Sequence, residues 1–141
     1  MPPSANDRLT PMRTLLLLLL AGMAANAGNS SLAAEVLGNE RQELDCLKTC
    51  DYDQFASFPA ANAVCVDRHV NNTRNVRLSD YTMEEVKFIP LSATSGMIVY
   101  KLTERGISHG KDFSAKVNVS ALWINHKGKW VCIFSQETGA R

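Results

Sequence analysis

Lysine and arginine gather nowhere in this chain of 141 residues: 15 basic residues are scattered among 14 acidic ones, for a net charge of +1. Nucleic acid and anionic membrane surfaces demand concentrated positive charge, so neither is an expected partner. Histidine is scarce, with only His69, His109 and His126, and no CxxC occurs. A metal site is therefore not expected, and nothing calls for a cofactor. Gly-x-Ser-x-Gly, a glycine-rich phosphate loop and any recognisable Cys/His pairing are all missing, which removes the common nucleophile and nucleotide machinery. No internal repeat is present. No apolar run approaches the roughly 20 residues that cross a bilayer.

What is present begins with an address label. Met12-Arg13-Thr14 precedes Leu15–Leu20 and Ala21–Ala25, followed by Ala25-Asn26-Ala27. A basic start, a short apolar run and a small-x-small site read as a secretory signal peptide over 1–27, giving a secreted or periplasmic product. Losing Asp7, Arg8 and Arg13 with it leaves 13 basic and 13 acidic residues. The small-residue stretch that follows, 28–38, reads as a tether. Residues 39–141 make one modest domain. Cys46, Cys50, Cys65 and Cys132 suit an oxidising compartment, with three pairings open and buried free thiols as the alternative. Cys65 and Cys132 would be neighbours if their strands pair.

The domain starts with a helix. Asn39 caps it, Gln42 completes a capping box, and Leu44, Leu47 and Cys46/Cys50 form its apolar side. Glu40, Arg41, Glu43 and Lys48 are placed toward water. A helical turn over Gln54–Phe58 is closed by Pro59, and Ala63–Asp67 reads as a short strand. Arg68–Asp80 reads as a loop and Tyr81–Leu91 as a second strand. The stretch from Gly96 to Thr138 is then written in period two, with turns at Ile107–Gly110 and at His126–Lys129. Its middle strand, Phe113–Asn125, is about twice the usual five or six residues and must bend. The layout is α+β: a cone-like curved antiparallel sheet of about four to six strands, with N-terminal helices in its concave face.

Asp51–Phe55, Ala63–Asp67, Ser95–Phe113 and above all Ser120–Thr138, with its Trp123…Gly128-Lys129-Trp130…Gln136-Glu137-Thr138 pattern, resemble the nuclear transport factor 2-like superfamily. Within it the SnoaL-like group called domain of unknown function 4440 is most similar, over about Glu40–Thr138. The resemblance implies a cone open at one end, often a homodimer through the outer face of the sheet, and a pocket without an agreed catalytic set. Such proteins usually carry a turn and a short helix after the first strand, and Arg68–Asp80 is short for both.

Related pockets include ketosteroid isomerases, in which a carboxylate near the end of the first strand moves a proton. Asp67 stands at the matching place, where an apolar hollow would raise its proton affinity. The other reading of Asp67 is a solvated turn. Those isomerases also need a Tyr and a protonated acid as an oxyanion hole. Phe113–Asn125 has no Asp or Glu, and the helix has no Tyr, so that half is absent from its expected positions. His109 is a second proton-transfer candidate at the cone's mouth, or a polar turn residue. Tyr100, Asn118, Ser120, Trp123 and Gln136 are candidate ligand contacts. Asn118 and Ser120 line either the cavity or a dimer face, and one of Gln136 and Glu137 must point inward. Three functions follow: a binder of a small apolar or amphipathic molecule, an isomerase-, cyclase- or dehydratase-type enzyme using a pocket carboxylate for proton transfer, or a dimerising scaffold with a vestigial pocket.

Overall fold

Two dipeptides, His109-Gly110 and Lys127-Gly128, set the frame of the sheet. All four residues have positive φ, 51° and 74° in the first pair and 53° and 86° in the second. Left-handed backbone at both central positions defines a type I′ turn, whose twist matches that of the strands it joins. A computed structural model describes residues 10–66 and 73–140, with side chains from residue 28 onward. Helix α1 (Thr10–Thr49) and the short helix α2 (Tyr52–Phe55) precede strand β1 (Pro59–Val66) and a 3-10 turn at Thr73–Asn75. Strands β2 (Val76–Ser92), β3 (Ser95–Ser108), β4 (Lys111–His126) and β5 (Lys129–Gly139) follow as an antiparallel meander.

The sheet order is β1-β5-β4-β3-β2, and it is not purely antiparallel. Strand β1 lies parallel to β5 at the far edge, and the Cys132 amide donates to the Phe58 carbonyl (2.9 Å) where the two meet. The strands of Cys65 and Cys132 do pair, but Cys65 stands opposite Ser135, and no disulfide joins any of the four cysteines. Curvature comes from register breaks. Three interrupt the β2·β3 ladder, between Leu78/Asp80, Glu84/Lys87 and Pro90/Ser92, and one interrupts β4·β5 between Leu122 and Trp123. Each extra residue bends its strand and sharpens the local twist.

Helix α1 does not start at Asn39. It runs continuously through the 28–38 segment read as a tether, and Asn39 sits mid-helix with its Nδ2 donating to the Glu35 carbonyl (2.8 Å). The reason is burial. Val36 and Leu32 continue the buried line one and two turns before Glu40, and propagation of an existing helix needs no local cap. The other end carries a Schellman closure, with Cys50 left-handed (φ 61°) and the Asp51 amide donating to the Cys46 carbonyl (2.9 Å). Cys50 is therefore past the helix and exposed, while Cys46 is buried. Asp51 then caps α2 by accepting from the Gln54 amide (3.1 Å).

The core lies between α1 and the concave face. Val36, Cys46 and Phe58 meet Ile98, Tyr100 and Leu102 of β3, Val117–Trp123 of β4 at alternate positions, and Cys132 of β5. Tyr81 ties α1 to β2, its hydroxyl donating to Asp45 (2.9 Å) with Lys48 Nζ 5.5 Å over its ring. Burial, and then the bond to Asp45, push that phenol up to about 12.

Candidate functional site

A carboxylate occupies the centre of the concave face. Glu40 extends the line Leu32–Val36, so the helical period aims it at the sheet and leaves it 4% exposed. There Tyr100 Oη donates to Oε1 and Trp123 Nε1 donates to Oε2, each at 2.6 Å. Trp123 is wholly buried and stands edge-on to Phe58, ring centroids 6.0 Å apart at 76°. Burial pushes the Glu40 carboxyl above its ordinary range, and the two donated hydrogen bonds offset only part of this. Burial first, and then the charge of Glu40, push the Tyr100 phenol well up.

The hollow around this triad is nearly full. The space left beside Glu40 is ≈40 Å3, bordered by Glu43, Glu104, Ser135 and Glu137 among others. That holds a few water molecules, against the roughly 300–1,000 Å3 of a typical ligand pocket. Larger open grooves lie at the rim, one of ≈450 Å3 between Leu32 and the Pro90–Ala93 turn. A tyrosine and a carboxyl of raised proton affinity do meet here, supplied by β3 and α1 rather than by the positions expected for an oxyanion hole. They bond to each other and present no donors to the space.

The candidates from sequence separate into two groups. Tyr100 and Trp123 converge on Glu40. Asn118, Ser120 and Gln136 are on the opposite face: Asn118 alternates with buried Val117 and Val119, and Gln136 pairs with Ser120. The break at Leu122/Trp123 leaves Ile133 as the extra residue on β5, which turns Glu137 inward and Gln136 outward. His109 is an exposed turn residue whose amide donates to the Asn75 carbonyl (3.0 Å). Asp67 and His69 lie outside the described residues. Among the described residues no three His, Cys, Asp or Glu are grouped to hold a metal ion, and no helix is long and apolar enough to cross a membrane.

Sequence reasoning missed Glu40, which it placed toward water. The signal was available in the spacing 32-36-40-44-47, but it disappears once 28–38 is taken as a tether.

The outer face has a feature of its own. Register places Val64, Phe134, Leu122, Met97 and Ile89 in one row across all five strands. Val64 is 56% and Ile89 46% exposed, and the three between are half-buried. Charges stand further along the same face, where Lys101 pairs with Glu85 (2.7 Å) and Lys116 reaches Glu84 (4.0 Å). The sheet's β2 edge is guarded by register breaks, Lys87 and Pro90, which discourage edge-to-edge pairing.

No family model and no curated protein matches the chain. Solved structures do. An NTF2-like (nuclear transport factor 2-like) protein of unknown function in nutrient uptake from Rhodospirillum rubrum superposes with a TM-score of 0.67 at 14% identity, covering 74% of this chain and 98% of that one. An NTF2-like protein from Cytophaga hutchinsonii gives 0.66 at 10% identity, covering 76% and 97%. The association domain of C. elegans CaMKII gives 0.64 at 11%, covering 78% and 97%. The chain has the NTF2-like fold, an α+β cone with α1 in the concavity of an open five-stranded sheet.

Proposed function

We propose that this chain is an exported self-associating scaffold whose outer sheet face meets a second copy of itself. The apolar row Val64–Phe134–Leu122–Met97–Ile89 carries the reading. Contiguous apolar surface on a soluble chain marks an interaction site, and a two-fold pairing lets one row cover another of the same composition. The similarity to an association domain and to a Chlamydomonas CaMKII hub homology domain supports the same direction. The filled hollow weighs against the binder and enzyme readings, since an apolar ligand would have to displace Glu40, Tyr100 and Trp123. Export rests on the leader over 1–27, with cleavage near Ala27.

Sedimentation velocity tests the proposal. The protein is expected to be a dimer at micromolar concentration. Leu122→Glu puts a carboxylate at the centre of the row, where symmetry brings it near its own copy. The substitution should weaken association by about 2–4 kcal/mol, roughly 30- to 1,000-fold, while the circular dichroism spectrum is unchanged. A wild-type monomer at these concentrations, or a variant that dimerises as well as wild type, would remove the proposal.

A further inference from the structure

At the rim, α1 and the β2–β3 and β4–β5 turns enclose a trough made of two grooves that meet at Gly28, Leu32 and Ala93. One, of ≈450 Å3, runs past Asn29 to Pro90 and Leu91. The other, of ≈340 Å3, runs past Ser31 and Glu35 to Thr94, Asn125 and Trp130. Each falls within the roughly 300–1,000 Å3 of ordinary ligand sites. The second groove is polar and pinned. Trp130 Nε1 donates to Glu35 Oε2 (2.8 Å), the Asn125 backbone amide donates to the Thr94 carbonyl (2.7 Å), and Asn125 Oδ1 accepts from the Gly128 amide (2.9 Å). Glu35 Oε1, Asn125 Nδ2 and the Ser31 hydroxyl are left without a hydrogen bond among the described residues. Leu32 is buried and Trp130 half-buried, while Ser31, Glu35 and Thr94 are exposed.

The lining selects the ligand. No Lys, Arg or His borders either groove among the described residues, so an anion finds no counter-charge. A wholly apolar molecule would strip water from a carboxylate, an amide and hydroxyls without replacing their hydrogen bonds. A cation would meet Glu35 and the indole, but it would also face the donors of Asn125. A neutral sugar uses the whole set. Its hydroxyls donate to a carboxylate and accept from an amide, and its C–H face packs on an indole and a leucine. Two grooves end to end match a chain rather than a single ring, and a β-1,4-linked chain is extended as the trough is. We infer that the rim trough binds a neutral, β-linked sugar chain, with Glu35, Asn125 and Trp130 as its principal contacts. The inference is separate from self-association through the outer face.

Proton–nitrogen NMR reads this out, because the chain has two tryptophans and hence two indole signals. The signal lost in Trp130→Phe belongs to Trp130. Should that variant not fold, Glu35→Ala identifies the same signal by shifting it, since it removes the acceptor of Nε1 from an exposed helical position. Titration with cellotetraose or chitotetraose should move the Trp130 signal, at least one of the two with a Kd of about 0.1–10 mM, while the signal of buried Trp123 stays in place. Glu35→Ala and Asn125→Ala should each weaken that sugar about fivefold or more, as loss of one hydrogen bond requires, whereas Asn118→Ala on the outer face should leave it unchanged. A Trp130 signal unmoved by both sugars at about 10 mM would overturn the inference. A response to tetramethylammonium alone, or equal sugar affinities for wild type and both groove variants, would do the same.

Discussion

Trp123→Ala should lower the unfolding free energy by about 4 kcal/mol, the middle of the range for truncating a buried aromatic. The residue is wholly buried, and three contributions act together. The ring's apolar area is lost, its edge-on contact with Phe58 disappears, and Glu40 Oε2 loses its donor inside the core. A domain of this size has a total stability of about 5–15 kcal/mol, so the variant would be marginal. Trp123→Phe separates the parts. It preserves most of the ring volume and removes the donor, leaving a small void beside Glu40, for an expected cost of about 1–3 kcal/mol. Denaturant titrations of both variants check this. Equal losses for Ala and Phe would mean that packing contributes little, contrary to the enclosed geometry of the ring.

Gly106→Ala should be nearly as damaging, at about 3 kcal/mol, for a different reason. Gly106 stands opposite Leu78 in the β2·β3 ladder, beside the first register break. A Cβ there would run into the Arg77 carbonyl oxygen and come within 2.9 Å of Leu78 Cα. Both are backbone atoms, so no side chain can swing aside, and the two strands would have to part where Val76 and Leu78 close the core. Gly38→Ala supplies the contrast. Nothing lies within 4 Å of its Cβ position, its backbone is ordinary helix, and the substitution should stabilise by about 1 kcal/mol. Thermal melts of the two variants should therefore move in opposite directions. A harmless Gly106→Ala would show that the β2·β3 approach is looser than described.

The parts of the fold visible in the sequence are those specified by neighbours in the chain. His109-Gly110 and Lys127-Gly128 mark turns because left-handed backbone has few residues to choose from, and β3, β4 and β5 follow from the alternation between them. What stayed hidden depends on partners distant in sequence. Cys132-Ile133-Phe134 is apolar throughout, so nothing local reveals that Ile133 is the extra residue that reverses the roles of Gln136 and Glu137. The parallel docking of β1 on β5 has no signature within either strand. Glu40 illustrates a third kind of miss. Its charge argues for water, and only a tyrosine and a tryptophan 60 and 83 positions away make burial tolerable. The site residues divided accordingly: Tyr100 and Trp123 share the parity of the apolar positions of β3 and β4, whereas Asn118 and Ser120 have the opposite parity on the same strand and so stand on the outer face.

The central claim is that the working surface of this protein is the outside of its sheet. Hydroxyl-radical footprinting at dilute and at high protein concentration tests it most directly, because Met97, Leu122 and Phe134 all react readily when solvent reaches them. The account predicts strong labelling of these three in dilute solution and clear protection when concentrated, with the exposed turn residue His109 unchanged as internal reference. Equal labelling of the row at both concentrations would contradict it.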